Sequence, residues 1–359
     1  MLELFFDLVF VVAVGQATAS LHRAIVENHV LEGVAGYAAV FFVVWWAWVN
    51  WTWFSSAFDN DDTVYRISAF VQMFGALVLA SGVREAFEGD FRIAASGYAI
   101  MRFALAGQWL RVAVLNPDVR AAALRFATGI TAVQILWIAR LAVSGVWSWV
   151  AFVLLCVVEL IIPWWAERAR AMPWHPRHIA ERHGIFTMIV LGELVLASTL
   201  AVNSGTAEGA PFAVLALVGV SGFAIVCSMW WLYNAWPAQS FLRDSRDAFV
   251  WSYGHCFVFF SIAASCSGFA AIIDLKVGPL SAYPLMVVRG AVAIPIALFL
   301  LSVLFIHIRP HRPHFAYSAS YLVAILLVLL TMLTPLALEL SALIMVGTVF
   351  ATELTRSDA

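Results

Sequence analysis

Apolar residues run along this chain in blocks of about twenty, separated by short polar stretches, from one end to the other. Twelve such spans can be marked, at about 2–22, 30–53, 63–86, 92–115, 118–142, 146–166, 178–203, 209–236, 246–273, 279–308, 315–336 and 338–355. Each is long enough to cross ~30 Å of hydrocarbon as a helix, the only open-chain element that satisfies its own backbone there. Strands of a membrane barrel would be ~10 residues long with strict alternation, and that alternation is absent. The pattern therefore predicts an all-α, polytopic transmembrane bundle. Its last pair of spans is divided by Pro335, which marks either a tight turn or a kink.

The pattern also repeats. Residues 5–16 (FFDLVFVVAVGQ) and 182–193 (RHGIFTMIVLGE) place a hydrophobic run, a Gly and a Gln or Glu in register. The block WWAWVNW with DNDD (45–62) matches WWLYNAW with RDSRD (230–247), and Arg102 and Arg289 fall in equivalent apolar stretches. The offsets are 192 − 15 = 177, 247 − 62 = 185 and 289 − 102 = 187, a slow rise that small loop insertions would produce. The expected organisation is a first six-span repeat at 1–166, a basic linker at 167–177 and a second six-span repeat at 178–359. Six spans per copy is even, so the copies share one orientation, as parallel repeats do. Duplicated bundles in membranes are commonly built around a path for something to cross.

Composition agrees with a lipid environment. The 359 residues are 63% hydrophobic and 12% charged, with mean hydropathy +0.91, against ~25% charged for a soluble domain. Membrane lipids are the expected partners. Nucleic acid is not expected: Lys276 is the single lysine, and the net charge is −2. The four cysteines lie in apolar runs without a CxxC pair, so no disulfide framework or zinc site is expected. The first apolar run lacks the basic segment and small-residue cleavage site of a secretory signal.

Charge asymmetry sets an orientation. With the N-terminus inside, the cytoplasmic side carries Arg111, Arg120, Arg125, Arg168, Arg170, Arg177, Arg182, Arg243, Arg246, Arg309, Arg312 and Arg356. The opposite side carries Arg23, Arg84, Arg92, Arg140 and Lys276. Basic residues favour the cytoplasmic side, and twelve spans place both termini there.

Polar groups inside a membrane are costly and are functional candidates by default. Glu3 and Asp7 are four residues apart on one helix face; the helix dipole accommodates a carboxylate there, and Asp7, a turn deeper, is the stronger candidate. Gln16 and Glu193 are repeat-equivalent polar residues deeper in spans 1 and 7, and Glu193 is a candidate proton or cation site. Together, Asp7, Gln16 and Glu193 are the expected lining of an ion or solute path. Arg102 and Arg289 are the expected buried counter-charges, with Asp7, Glu193 or helix carbonyls as partners. Glu159 is a secondary candidate nearer the cytoplasmic end. The clusters of Trp45, Trp46, Trp48, Trp51 and Trp53 and of Trp230, Trp231 and Trp236 read as interfacial belts. Asn50 and Asn234 within them are placed for hydrogen bonds between helices. Asp62 and Asp247 suit helix N-caps. His178, Glu181 and His183 invite a metal reading, but no second ligand pair follows, so no metal or other cofactor is expected. His255 reads as a lone core histidine. Nucleophilic triads, phosphate-binding loops and dinucleotide fingerprints are absent, so no catalytic residue is assigned.

The stretches ELFFDLVFVVAVGQ (3–16) and HIAERHGIFTMIVLGE (178–193) resemble the two signatures of the low temperature requirement protein A (LtrA) family, and the resemblance covers nearly the whole chain. It implies a bacterial cytoplasmic-membrane protein. Family members usually carry a short basic segment ahead of the first Glu, where here Met1 lies two residues before Glu3. More distantly, FFDLVFVVAV is similar to the FSDxVFAIAI signature of a family of two-repeat potassium channels. Phe6 stands where that motif has Ser, and the second copy lacks the Asp, so only the idea of spans 1 and 7 lining a central path carries over.

Three classes of function follow. The leading one is movement of a small ion or solute along spans 1 and 7. The second is a membrane-embedded enzyme acting on lipid, for which Glu181, His178 and His183 are the candidates near the headgroups. The third is a structural factor supporting membrane function in the cold.

Overall fold

A computed structural model describes residues 1–356 except 208, 237–241, 243–244, 279–283 and 312–314, and the side chains of 245, 246 and 356 are also outside the description. Arg243, Asp244 and Arg312 of the orientation argument therefore lie outside the described residues, as do the side chains of Arg246 and Arg356.

The described residues are helical, with no strand among them. The helices are α1 (Leu2–Val26), α2 (Val30–Phe58), α3 (Thr63–Ser81), the short α4 (Val83–Phe87), α5 (Arg92–Leu115), α6 (Arg120–Arg140) and α7 (Val146–Glu167). They continue with α8 (Pro176–Ala207), α9 (Phe212–Asn234), α10 (Ser245–Val277), α11 (Leu285–Val303), α12 (Phe315–Leu330) and α13 (Ala337–Arg356). Eleven segments among the described residues are long and apolar enough to cross a membrane. The twelfth expected span is α5. Its 24 residues are long enough, but Arg102, Gln108 and Arg111 lower its hydropathy. Pro335 sits in a turn between two packed helices, α12 and α13.

The chain forms two compact units. The first comprises residues 1–16 and 42–179, the second 17–41 and 180–359. The first two helices thus contribute to both units, and the basic linker belongs to the first.

In the first unit α3 packs on α5, α5 on α6, and α6 on α7. The α3–α5 contact is close because glycine permits it. A Cβ on Gly97 would meet the Gly75 carbonyl oxygen at 2.5 Å and the Leu79 backbone, and one on Gly75 would meet the Gly97 oxygen at 2.8 Å. Without a hydrophobic drive between helices in lipid, such backbone-level contact supplies dispersion instead. α3 begins at Asp62, whose carboxylate caps the Tyr65 amide at 2.9 Å and also binds Arg111. The linker docks on α2: the His175 amide donates to Ser56 Oγ at 3.0 Å, and Trp174 meets Trp53 edge-on.

In the second unit α10 packs on α11, α11 on α12, and α13 on α9. Gly268 of α10 lies against the backbone of Ala291 in α11. A half-open cavity of about 370 Å³ is lined by apolar residues including Leu21, Ile25, Phe260, Met286 and Pro295. The polar atom of its Tyr37 is spent on the Phe260 carbonyl at 2.9 Å, which leaves a surface suited to hydrocarbon. Beyond α11 the chain makes one π-helical turn, Leu304–Ile308.

Candidate functional site

Each unit holds a buried polar cluster on its membrane-spanning helices. In the first, Glu159 of α7 is fully buried and accepts four hydrogen bonds from side chains. Arg102 Nη2 reaches its Oε2 at 2.6 Å and Trp46 Nε1 the same oxygen at 2.9 Å. Tyr98 OH donates to Oε1 at 2.7 Å and Trp137 Nε1 at 3.2 Å. The cage is assembled from four helices: α2, α5, α6 and α7. Tyr98 and Arg102 are four apart on α5 and so share a face. The partner of Arg102 is thus Glu159, not Asp7 or Glu193 as expected from sequence. Glu159 sits four residues before Pro163, well inside its span, and its charge is met there by the Arg102 guanidinium.

Asp7 is also fully buried and takes a 2.6 Å hydrogen bond from Trp48 Nε1. Glu3 lies 3.0 Å from His178 Nε2. These contacts correct the reading of the first tryptophan block. Trp46, Trp48 and Trp51 are interior residues, not an interfacial belt, because two of their indole N–H groups are claimed by buried carboxylates and Trp51 stacks on Phe6 at 5.1 Å. Trp230 and Trp231, by contrast, are exposed. Among the described residues, Asn50 and Asn234 do not bridge helices. Each donates back to its own helix at 2.8 Å, to the carbonyls of Trp46 and Trp230.

The second unit gathers histidines. His183 of α8, His255 of α10 and His307 of the π turn are all buried. Ring centroids are 4.9 Å apart for His183–His255 and 5.3 Å for His255–His307. His183 Nε2 lies 2.9 Å from Ser252 Oγ. His255 Nδ1 meets the Trp251 carbonyl at 2.8 Å, while its Nε2 faces Tyr233 OH at 3.0 Å and His307 Nε2 at 3.4 Å. Trp251, at 4.0 Å from the His255 ring, and Phe259, at 5.5 Å, wall the cluster. No group of three or more His, Cys, Asp or Glu among the described residues is arranged to hold a metal ion. His255 is therefore not a lone histidine. His307 escaped the sequence reading because it lies 52 residues from His255 and reads as part of the basic end of a span.

The remaining candidates are dispersed. Glu193 is half-buried on α8, and Gln16 is exposed on α1. Arg289 is half-buried, and its Nε is buried without a hydrogen-bond partner among the described residues. Glu181 is exposed. His178 and His183, five apart on one helix, turn to different partners, Glu3 and Ser252. At the other end of the second unit His22 and Asp274 pair at 2.7 Å, as do Lys276 and Glu339.

Comparison with known proteins follows the same outline. The uncharacterised protein RA0937 of Rhizobium meliloti (strain 1021) is 28% identical over 274 residues, which are 70% of this chain and 64% of that protein. The chain thus spans less than two thirds of that relative's length. No solved structure matches, and the likeness to potassium channels gains no support. The family description for the bacterial low temperature requirement A protein (LtrA) matches residues 1–355. An all-helical chain with at least eleven membrane-capable segments, matched over almost its whole length, is a multi-pass membrane protein and belongs to the LtrA family.

Proposed function

We propose that this protein moves a small ion or solute across the bacterial cytoplasmic membrane, with both termini on the cytoplasmic side. One observation carries the reading: a contiguous set of buried ionisable rings, His183, His255 and His307, on membrane-spanning segments of one unit. A bundle that needed only to span lipid would avoid the cost of burying such groups. Glu193, half-buried on the same helix as His183, remains a proposed lining group, with Gln16 as its counterpart in the proposed duplication. Asp7 is committed to Trp48 and anchors that indole. A lipid-modifying enzyme would need His178, Glu181 and His183 to act together, and their separate partners do not favour it.

The test is reconstitution of the full chain into liposomes under a panel of ion and pH gradients. The expected result is dissipation of at least one gradient faster than in protein-free vesicles. Vesicles that hold every gradient as well as empty ones reject the reading. Where flux is seen, its pH profile in wild type and Glu193→Gln separates a titrating role for Glu193 from a structural one.

A further inference from the structure

Resting on the transport reading, we propose that the ion taken up is the proton, and that His311, His307 and His255 form its entry row into the second unit. The row runs from surface to interior. His311 is half-exposed, His307 is buried in the π turn, and His255 is fully buried on α10. His311 Nδ1 lies 2.7 Å from the His307 carbonyl, which fixes its ring against Trp236 at 4.8 Å between centroids.

The hydrogen-bond pattern assigns the tautomers. The Trp251 carbonyl can only accept, so His255 Nδ1, 2.8 Å away, carries a hydrogen. In the neutral ring His255 Nε2 then has a lone pair, and it accepts from Tyr233 OH. The Trp236 backbone carbonyl, which can only accept, bonds the His307 ring, and with Nδ1 unpartnered among the described residues that hydrogen sits on Nε2, 3.4 Å from His255 Nε2. That leaves His307 Nδ1 with a lone pair, buried and without a hydrogen-bond partner among the described residues. An imidazole with one basic nitrogen open and the other protonated beside a second imidazole is arranged to relay a proton through its ring.

The step balances without any co-reactant. A proton arriving from the His311 side bonds to His307 Nδ1. The Tyr233 hydroxyl turns its hydrogen away from His255 Nε2, the His307 Nε2–H bond breaks with its electron pair staying on the ring, and the proton bonds to the freed lone pair of His255 Nε2. His307 ends neutral with its hydrogen on Nδ1, and His255 becomes an imidazolium. A ring flip of His307 resets the row. Two imidazolium rings about 5 Å apart would repel, so the cluster holds one proton at a time. His183, 4.9 Å from His255 on its other side, is the next group inward.

Among the described residues, the ionisable groups facing His255 and His307 are Tyr233 from α9, His183 from α8 and His311 beyond the π turn. Asp247 lies eight residues before His255 on α10, on the same helical face. Among the described residues, neither His255 nor His307 bonds a carboxylate or a guanidinium. Local π geometry places His307 within reach of His255, as such turns commonly do at functional sites.

The test uses the full chain in liposomes loaded with a pH-sensitive dye, with the membrane potential clamped by potassium and valinomycin. Expected is proton flux in wild type, reduced about tenfold or more in His307→Gln and His255→Gln. His29→Gln, at an exposed loop histidine, should leave it unchanged. If the protein dissipates another ion or solute gradient but not the proton gradient, the proton assignment is overturned while transport stands. If no gradient is dissipated, both fall. Should the substituted proteins fail to fold, nitrogen-15 spectra of the histidine rings in wild type decide. His255 protonated at Nδ1 with a hydrogen bond from His307 Nε2 supports the row. Protonation of His255 at Nε2 alone overturns it.

Discussion

At the scale of single residues, the buried Arg102–Glu159 pair makes the sharpest prediction. Both side chains are essentially inaccessible, and three further donors converge on the carboxylate. Removing one member strands the other without compensation, which costs about 3–5 kcal/mol. Arg102→Met and Glu159→Gln should each lower the unfolding midpoint in detergent substantially. The double substitution should cost less than the sum of the two, because neither charge is then stranded. Additive losses would mean that the pair is not coupled. A second residue-scale prediction concerns Asp90, in the loop before α5. Hydrogen bonds from the Arg92 side chain, and then its backbone amide, hold the Asp90 carboxyl down at about 2. A carboxyl whose folded pKa lies below the unfolded value near ~3.9 stabilises the fold at pH above that value. The contribution is lost as pH falls from about 4 to about 2, and full exposure keeps it small. Carbon-13 titration of Asp90 should give that low midpoint, and Arg92→Gln should return it towards the ordinary aspartate value.

Among the elements, the α3–α5 pair depends on absent side chains. Gly97 meets backbone atoms of α3 at distances no Cβ tolerates, and backbone cannot yield as a flexible side chain can. Gly97→Val should separate the pair and cost about 1–3 kcal/mol or more, the usual range for overpacking. Gly107→Ala on the same helix, where a Cβ meets open space, should be nearly neutral. Matched unfolding curves for the two variants check this, and equal effects would mean that the close approach at Gly97 is not what holds the pair. The π turn after α11 has no comparable signature in sequence. Pro310, just beyond it, and the histidines around it read as a span end, and the turn is visible only through its hydrogen bonds and the ring it delivers to α10.

For the whole molecule, the distribution of arginines makes a topological prediction. The loop at Asn28 should face away from the cytoplasm and the linker at Ala171 towards it. Both positions are exposed. In a variant lacking the four native cysteines, a membrane-impermeant thiol reagent applied to intact cells should label Asn28→Cys and spare Ala171→Cys until lysis. The reverse pattern would invert the orientation. The proposed duplication predicts in turn that the chain path of residues 1–166 superposes helix by helix on 178–359. Packing places residues 17–41 of the described chain in the second compact unit.

The sequence by itself determined what depends on local or averaged properties. Runs of apolar residues mark helices wherever water cannot reach, so the spans and the all-helical class were legible to within a few residues. The signatures at 3–16 and 178–193 pointed to the family for the same reason: each is a contiguous word. Mid-span charge marked Arg102 as a residue needing a partner, and Asp62 as a cap was readable from its position before α3. Only the tertiary structure decided which groups meet. Glu159 won Arg102 over Asp7 and Glu193 because α5, α6 and α7 pack side by side and bring residues 57 positions apart to 2.6 Å. It likewise turned tryptophans that looked interfacial into donors for buried carboxylates, and joined His183, His255 and His307 from three segments into one cluster. Periodicity fixes the face on which a residue lies, but the partner helix and its register are set by the packing of the whole bundle, which no single span encodes.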